Sequence, residues 1–243
     1  MQQYFIDSMN RKMNTGTITG SDVHHIKHVM RLDVKDKIIV CHEGVCYDST
    51  ITDMNDDTVH VSIGKKRLNT ELGVTVDIAQ ALIKKDNFEL MLQKTSELGA
   101  NSIIPLNTAH SIVKLSDKKL PNKLSRWNKI TKEACEQSKR SHITEVTPPT
   151  TIEDIDLHNY NYVFVLYAKE DNTMFTYDPL KVTGNILVMV GPEGGFTQEE
   201  ITYLNQFDNT EVISLGKRIL RSETAPLFVL SVIGYFDALG DQS

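Results

Sequence analysis

Two loops of this sequence combine residue types that could do chemistry. The first loop, GPEGGF at residues 191–196, directly follows the apolar run LVMV. The second loop, LGKRILRSETA at residues 215–225, follows EVIS and holds two arginines and a glutamate. Glycines let a backbone approach a bound molecule closely and present N–H groups at a helix start. Both loops predict ligand-binding segments, although ordinary turns and an exposed ion pair would also explain these residues.

Neither loop has the pattern of a common nucleotide site. The sequence lacks a Walker phosphate loop and a G-x-G-x-x-G fingerprint in these positions. It therefore does not favour nucleoside triphosphates or NAD as ligands. In open parallel sheets, ligands bind beyond the carboxyl ends of the strands. The chemistry therefore depends on how the flanking elements bring the two loops together.

Strands and helices alternate from residue 74 onward. Apolar runs predict strands over 74–83, 102–106, 160–167, 185–190 and 211–215. Helices are predicted over 86–97, 120–138, 198–206 and 223–239, the first with a capping box of Asp86 and Glu89. This alternation predicts an α/β fold with a mostly parallel sheet.

The first 70 residues follow a different pattern. Short β-branched runs at 37–41, 47–52 and 58–63 are separated by turn residues, and Ser21-Asp22 precedes an amphipathic helix. A chain of 243 residues fits one to two domains. We therefore predict a small β-barrel-like domain over 1–70 and an α/β domain over 73–243.

Charge is unevenly distributed along the chain. The net charge of −6 does not by itself favour nucleic acid. Residues 110–142, however, hold nine Lys or Arg against three acids, a balance of +6, whereas 145–211 hold twelve acids against two lysines, a balance of −10. Such polarity can steer a polyanion to one face of a protein. A basic helix face that only contacts solvent is the alternative.

Composition excludes several classes. The chain is 40% hydrophobic and 24% charged, which is typical of globular proteins rather than disordered ones. The amino end resembles no signal peptide and the longest apolar stretch is too short for a bilayer, so we expect no membrane role and a cytoplasmic location. Cys41 and Cys46 lack the second pair of a zinc site, and a chain of this length needs no disulfide or metal to fold.

Taken together, the two loops resemble those of the SPOUT methyltransferases. More narrowly, the chain is similar to the bacterial RsmE-type enzymes, which methylate N3 of a uridine in 16S ribosomal RNA. The segments HHIKHVMRLDVKDKIIV, ALIKKDNFELMLQKTSELGANSIIPL and RWNKITKEACEQSKR extend the resemblance over essentially the whole chain. It implies an amino-terminal PUA-like β-barrel, a carboxy-terminal trefoil knot, a homodimer, and the 30S particle as partner.

The resemblance also implies S-adenosylmethionine as the cofactor, held mostly by backbone groups. Leu215, Ile219 and Leu220 are expected to form an apolar slot for the adenine. The full set of expected cofactor-binding residues is Leu166, Tyr167, Gly191, Glu193, Gly195, Leu215, Gly216, Ile219, Leu220, Thr224 and Ala225.

Methylation of uridine N3 requires loss of the N3 proton or stabilisation of the resulting anion. Arg221 and Glu223 are the candidate catalytic residues, because they lie in the loop expected to surround the cofactor. In this interpretation Arg221 stabilises charge on the uracil and Glu223 accepts the proton. A structural ion pair or helix cap is the alternative for both.

Candidate RNA-binding residues come from the basic helix and from the amino-terminal domain. They are Arg11, His25, Arg31, Arg126, Lys132, Gln137 and Arg140. His24 and His28 have the spacing of a metal pair, but without a third ligand a packing or RNA-facing role is favoured and no metal is expected. Trp127 is expected in the core rather than under a base.

Three other functions remain open at this point. The chain could be another SPOUT enzyme that acts on transfer RNA or 23S ribosomal RNA. It could also be a non-catalytic RNA-binding protein of ribosome assembly, which would not bind S-adenosylmethionine. A small-molecule α/β enzyme that uses a nucleotide would need no basic segment.

Overall fold

The computed structural model describes residues 1–113, 115–170 and 173–240, and its chain divides into two units. The first unit consists of Met1–Glu71 and Cys135–His142, and the second of Leu72–Ala134 and Ile143–Ser243. The division falls between Glu71 and Leu72, and a short segment from the middle of the chain joins the first unit.

The first unit contains a six-stranded sheet in the order β1-β4-β5-β6-β3-β2. Its β1 and β4 are parallel, and every other neighbouring pair is antiparallel. Its elements are β1 (Gln3–Phe5), β2 (Ser8–Asn10), β3 (Thr15–Thr19), α1 (Ser21–His24), a π-helical turn (His25–Val29), β4 (Lys37–His42), β5 (Val45–Met54) and β6 (Thr58–Lys66).

Strand β4 is apolar on both faces because both are covered. Ile38 and Val40 belong to the main core of the first unit, whereas Ile39 packs with Cys41 and Cys46 in a second cluster. A two-residue turn joins β4 and β5 and sets Cys41 directly opposite Cys46. These two cysteines form a disulfide, which the sequence did not lead us to expect.

The hydrogen-bond pattern explains why these two cysteines meet. The carbonyl of Cys41 accepts from the N–H of Ile6 at 2.9 Å, and that of Cys46 accepts from the N–H of Arg67 at 2.8 Å. Both carbonyls therefore point away from the hairpin, one toward the end of β1 and the other toward the end of β6. The pair thus occupies a non-hydrogen-bonded position of the hairpin. Side chains approach each other most closely at such positions.

The second unit contains a six-stranded sheet in the order β12-β10-β11-β7-β8-β9, and all of its pairings are parallel. The predicted α/β class with a parallel sheet is therefore confirmed. Its strands are β7 (Thr75–Ala81), β8 (Ser102–Leu106), β9 (Glu145–Val146), β10 (Tyr162–Leu166), β11 (Asn185–Val190) and β12 (Thr210–Ile213).

Helices cover both faces of this sheet. The main helices are α2 (Lys85–Glu97), α3 (Leu120–Ser138), α4 (Gln198–Leu204) and α5 (Ala225–Gly240), with 3₁₀ turns at Asp117–Lys119 and Leu157–Asn159. One core packs apolar residues of α2, α3 and α5 against the sheet, and the other contains those of α4. Trp127 is buried against Phe88 with ring centroids 4.7 Å apart, so its predicted core role is confirmed.

Two helix starts differ from their predictions. Helix α1 has only four residues before the π-helical turn, and no side chain caps it. The predicted capping box of Asp86 and Glu89 is wrong, because α2 begins at Lys85 without a side-chain cap. Glu89 instead accepts two hydrogen bonds from Arg126 of α3, at 2.7 and 2.6 Å.

Candidate functional site

The two candidate loops lie at one edge of the parallel sheet. The strand register pairs Val190 with Leu166 and with Gln80, and pairs Leu166 with Ile213. Because parallel strands point the same way, the residues that follow β10, β11 and β12 all emerge at this carboxyl edge. The structure therefore brings together Tyr167, the first loop and the second loop.

The first loop is a tight turn anchored on both sides. The N–H of Gly195 donates to the carbonyl of Pro192 at 2.9 Å, and Gly195 has a φ of +71°. A Cβ on Gly191 would lie 3.1 Å from the nitrogen of Phe196, so the backbone here leaves no room for a side chain. Glu193 is exposed within the turn, and Phe196 is buried.

The helix after the first loop is capped through Glu200. Thr197 and Glu200 form a capping box, in which the N–H of Thr197 donates to the Glu200 carboxylate at 2.7 Å. The same carboxylate accepts from the N–H of Ala109 at 2.9 Å. His110 Nδ1 lies 3.0 Å from the carbonyl oxygen of Gly195. The segment after β8 thus contacts the first loop, a contact that the sequence analysis missed because it joins distant residues.

The second loop is partly apolar and partly exposed. Leu215 and Leu220 are half-buried and pack against the core, and Gly216 has a φ of +104° with open space around the position of a Cβ. Ile219, in contrast, is 84% exposed. The structure therefore does not place Ile219 in the expected apolar slot with the two leucines, because its side chain faces solvent.

A buried serine joins the two loops. The Ser222 hydroxyl donates to the carbonyl of Gly191 at 2.6 Å and accepts from Gln80 Nε2 at 2.8 Å. Ser222 is 9% exposed and Gln80 is fully buried. Neither residue was singled out from the sequence, because a lone serine or glutamine carries no motif.

The two candidate catalytic residues have different environments. Glu223 is 8% exposed, whereas Arg221 is exposed. In the described part of the chain, neither side chain forms a hydrogen bond or an ion pair, so the alternative of a structural ion pair has no support. Their main chain forms the turn that leads into α5, since the carbonyl of Arg221 accepts from Thr224 and Ala225. Of these two, Thr224 is exposed and Ala225 is buried.

One of the expected RNA-binding residues is not at the surface. Arg140 is 4% exposed, and its guanidinium binds Glu71 through Nε at 3.0 Å and through a second nitrogen. The backbone N–H groups of Ser141 and His142 also donate to Glu71, at 2.7 and 3.1 Å. The prediction of Arg140 as an RNA contact is corrected, because its buried side chain anchors the segment that follows α3.

The remaining RNA-binding candidates lie nearer the surface. Arg126 binds Glu89 and Arg11 binds Glu43, while His25 Nδ1 lies 3.0 Å from the Tyr4 hydroxyl. Arg31 is exposed at a left-handed backbone position with a φ of +53°. Lys132 is half-buried and Gln137 is exposed.

The carboxyl edge fits the cofactor that the resemblance implies. Gly195 and Gly216 each have positive φ and open space where a Cβ would stand, so both backbones are accessible to a ligand. Val190 and Leu166 supply apolar strand ends beneath them. Among the described residues, no three His, Cys, Asp or Glu side chains lie close enough to hold a metal ion. No described helix is long and apolar enough to cross a bilayer.

Comparisons with known proteins agree with this architecture. The family model of an RNA methyltransferase domain matches residues 70–234, and that of an RNA methyltransferase PUA domain matches residues 18–64. The chain is 37% identical to ribosomal RNA small subunit methyltransferase E of Bacillus subtilis over the full length of both proteins.

Solved structures give the same result. A crystal structure described only as that of a hypothetical protein is 37% identical, with a TM-score of 0.88 over 98% of this chain and 99% of that one. A methyltransferase of Legionella pneumophila, solved with its cofactor SAM bound, is 26% identical with a TM-score of 0.83. That alignment covers 96% of this chain and 97% of the Legionella protein.

Proposed function

This chain belongs to the RNA methyltransferase family whose members carry an amino-terminal PUA domain, and from that premise we propose that it methylates 16S ribosomal RNA with S-adenosylmethionine. The main support for the proposal is that the two loops lie together at the carboxyl edge of the sheet. The Bacillus relative, named as a small-subunit enzyme, supports the choice of RNA.

The cofactor site is proposed at that edge. Its residues are those expected from the sequence, except that Ile219 would contribute only after its exposed side chain moves. Bound S-adenosylmethionine would supply an electrophilic methyl group on its sulfonium. The chain itself supplies accessible backbone groups at Gly195 and Gly216 and half-buried leucines beside them, while the buried Gly191 leaves the backbone close to the ligand.

The proposed acceptor is N3 of a uridine. This nitrogen carries a proton and becomes a nucleophile when the proton is removed. Glu223 accepts that proton, directly or through water, and Arg221 stabilises the negative charge that develops on the uracil oxygens. Within the described residues, neither side chain has a hydrogen bond or an ion pair, so both groups are available to a substrate, which supports these two roles.

RNA contacts are proposed from the two units separately. In the first unit Arg11, His25 and Arg31 remain candidates, and the exposed Arg31 has no ion pair among the described residues. Arg126, Lys132 and Gln137 remain candidates on α3. Phosphate contacts would position the RNA, while the extruded base would be recognised at the carboxyl edge.

Assembly and topology belong to the same proposal. A homodimer is supported by exposed apolar side chains on α5, and a trefoil knot is implied by the SPOUT resemblance. Action in the cytoplasm on the 30S particle follows from the proposed substrate.

Mass mapping of methylated nucleosides in small-subunit RNA from wild-type and deletion cells tests this function. We expect N3-methyluridine to be lost in the deletion and restored when purified protein and labelled S-adenosylmethionine are added to the deletion particles. If both strains contain this nucleoside, the assignment is wrong, and label found in transfer RNA or 23S RNA would identify another substrate.

A further inference from the structure

One polar residue interrupts the apolar face of strand β7. Ile78 and Leu82, two residues to either side, belong to the core that α5 covers, and Gln80 lies between them with no solvent exposure. Burying an amide in such surroundings is unfavourable unless its groups are hydrogen-bonded. The amide of Gln80 therefore needs hydrogen-bond partners at this position.

The amide nitrogen of Gln80 has such a partner. Gln80 Nε2 donates to the Ser222 hydroxyl at 2.8 Å, and this hydroxyl donates to the carbonyl of Gly191 at 2.6 Å. The three residues belong to β7, the second loop and the first loop. One chain of hydrogen bonds thus connects the central strand with both loops of the proposed site.

The amide oxygen shows that stability alone does not explain Gln80. Its Oε1 is buried without a hydrogen-bond partner among the described residues. An unsatisfied buried acceptor destabilises the folded state, and an apolar residue of similar size avoids that penalty. The folded protein would therefore be at least as stable with methionine here, provided that Ser222 keeps its bond to Gly191.

We propose that Gln80 and Ser222 are positioning residues for the cofactor site. Through Ser222 they hold the turn that precedes α5, including Glu223, against the first loop, so that both loops present one preformed surface to S-adenosylmethionine. This inference rests on the proposed function. Preformed loops bind more tightly because less conformational freedom is lost on binding.

Replacing the hydroxyl tests this role. In Ser222→Ala the carbonyl of Gly191 loses its donor, so we expect the Kd for S-adenosylmethionine, measured by calorimetry, to rise about tenfold. Ser222→Thr retains a hydroxyl and should bind within about threefold of wild type. Ser96→Ala is the matched control, because the buried Ser96 hydroxyl donates to the Leu92 carbonyl at 2.7 Å within α2, away from both loops.

Gln80→Met separates positioning from folding. We expect its thermal midpoint without cofactor to equal or exceed that of wild type, while its Kd for S-adenosylmethionine rises at least fivefold. Unchanged affinity in both Ser222→Ala and Gln80→Met would overturn the inference, as would a loss of affinity in Ser96→Ala equal to that in Ser222→Ala. Failure of the wild-type protein to bind S-adenosylmethionine would instead refute the proposed function.

Discussion

At the scale of single residues, Glu223 is the position most informative about the chemistry. The residue is 8% exposed as a whole, and its carboxylate has no hydrogen bond among the described residues. Its unpaired state is what a general base requires before substrate arrives.

Glu223→Gln is therefore expected to lower kcat by about 10²- to 10⁴-fold with little change in cofactor affinity. Glu211→Gln, an exposed change within β12, serves as control. A Glu223→Gln enzyme with wild-type kcat and pH profile would exclude Glu223 as the base.

Gly191 illustrates a residue whose importance lies in its missing side chain. A Cβ there would stand 3.1 Å from the Phe196 nitrogen and 3.2 Å from the Gly195 carbonyl carbon, both of them backbone atoms. Gly191→Val should therefore displace the first loop and abolish S-adenosylmethionine binding measured by calorimetry. Gly234→Ala, where the new Cβ would meet Leu72 at an ordinary 3.8 Å, should bind normally.

At the scale of elements, Glu71 anchors the segment that follows α3. Burial alone would raise the pKa of Glu71, but the Arg140 guanidinium and the N–H groups of Ser141 and His142 bind its charged form and hold the pKa below the ordinary 4.5. A carboxyl whose pKa is lower in the folded protein stabilises it above the unfolded pKa. That contribution is lost as the pH falls below about 4.5.

Glu71→Gln should lower the free energy of unfolding by about 3 kcal/mol at pH 7, since it leaves the buried Arg140 charge uncompensated. The difference from wild type should be smaller at pH 3 than at pH 7, because protonation of the unfolded carboxyl removes part of the stabilising contribution as the pH falls below about 4.5. Urea denaturation at both pH values measures it. Glu43→Gln, which breaks the exposed pair with Arg11, should have no measurable effect. An equal loss at pH 3 and pH 7 would contradict this account.

At the scale of the whole molecule, helix α5 has exposed apolar side chains that could form the interface of the proposed homodimer. Phe228, Tyr235 and Leu239 follow one another at helical spacing and are 40%, 63% and 45% exposed. Such a stripe on a helix that also packs into the core is typical of an interface. Tyr235→Glu should therefore convert the proposed homodimer to a monomer in sedimentation experiments, whereas Thr202→Glu on α4 should not. A wild-type monomer would contradict the proposal.

The uneven distribution of charge along the chain predicts that RNA binding depends on salt. Lys118 and Lys119 are exposed within the basic segment 110–142, while the chain as a whole is acidic. RNA affinity should therefore fall steeply with salt, because bound phosphates release counterions. Replacing both lysines by alanine should reduce the slope of log K against log salt by about 1.4 for single-stranded RNA. An unchanged slope would place the RNA elsewhere.

The elements that could be predicted from the sequence are those whose signals are local in the chain. Helix α3 spans Leu120–Ser138 as predicted, and β8 and β11 have their predicted bounds, because periodicity and turn residues are local signals. The short strands β1, β2 and β3 were not predicted. Strands of three to five residues are too short to show a clear alternation, and only their partners identify them.

The sequence by itself determined the α/β class, the family resemblance and the two loops, since these depend on residue types in contiguous segments. Only the tertiary structure decided which side chains are available. It buried Arg140 against Glu71, 69 residues away, and joined Gln80 to Ser222 across 142 residues. No local pattern encodes such pairings, because they arise when parallel strands bring distant segments to one edge and the polar groups buried there need partners.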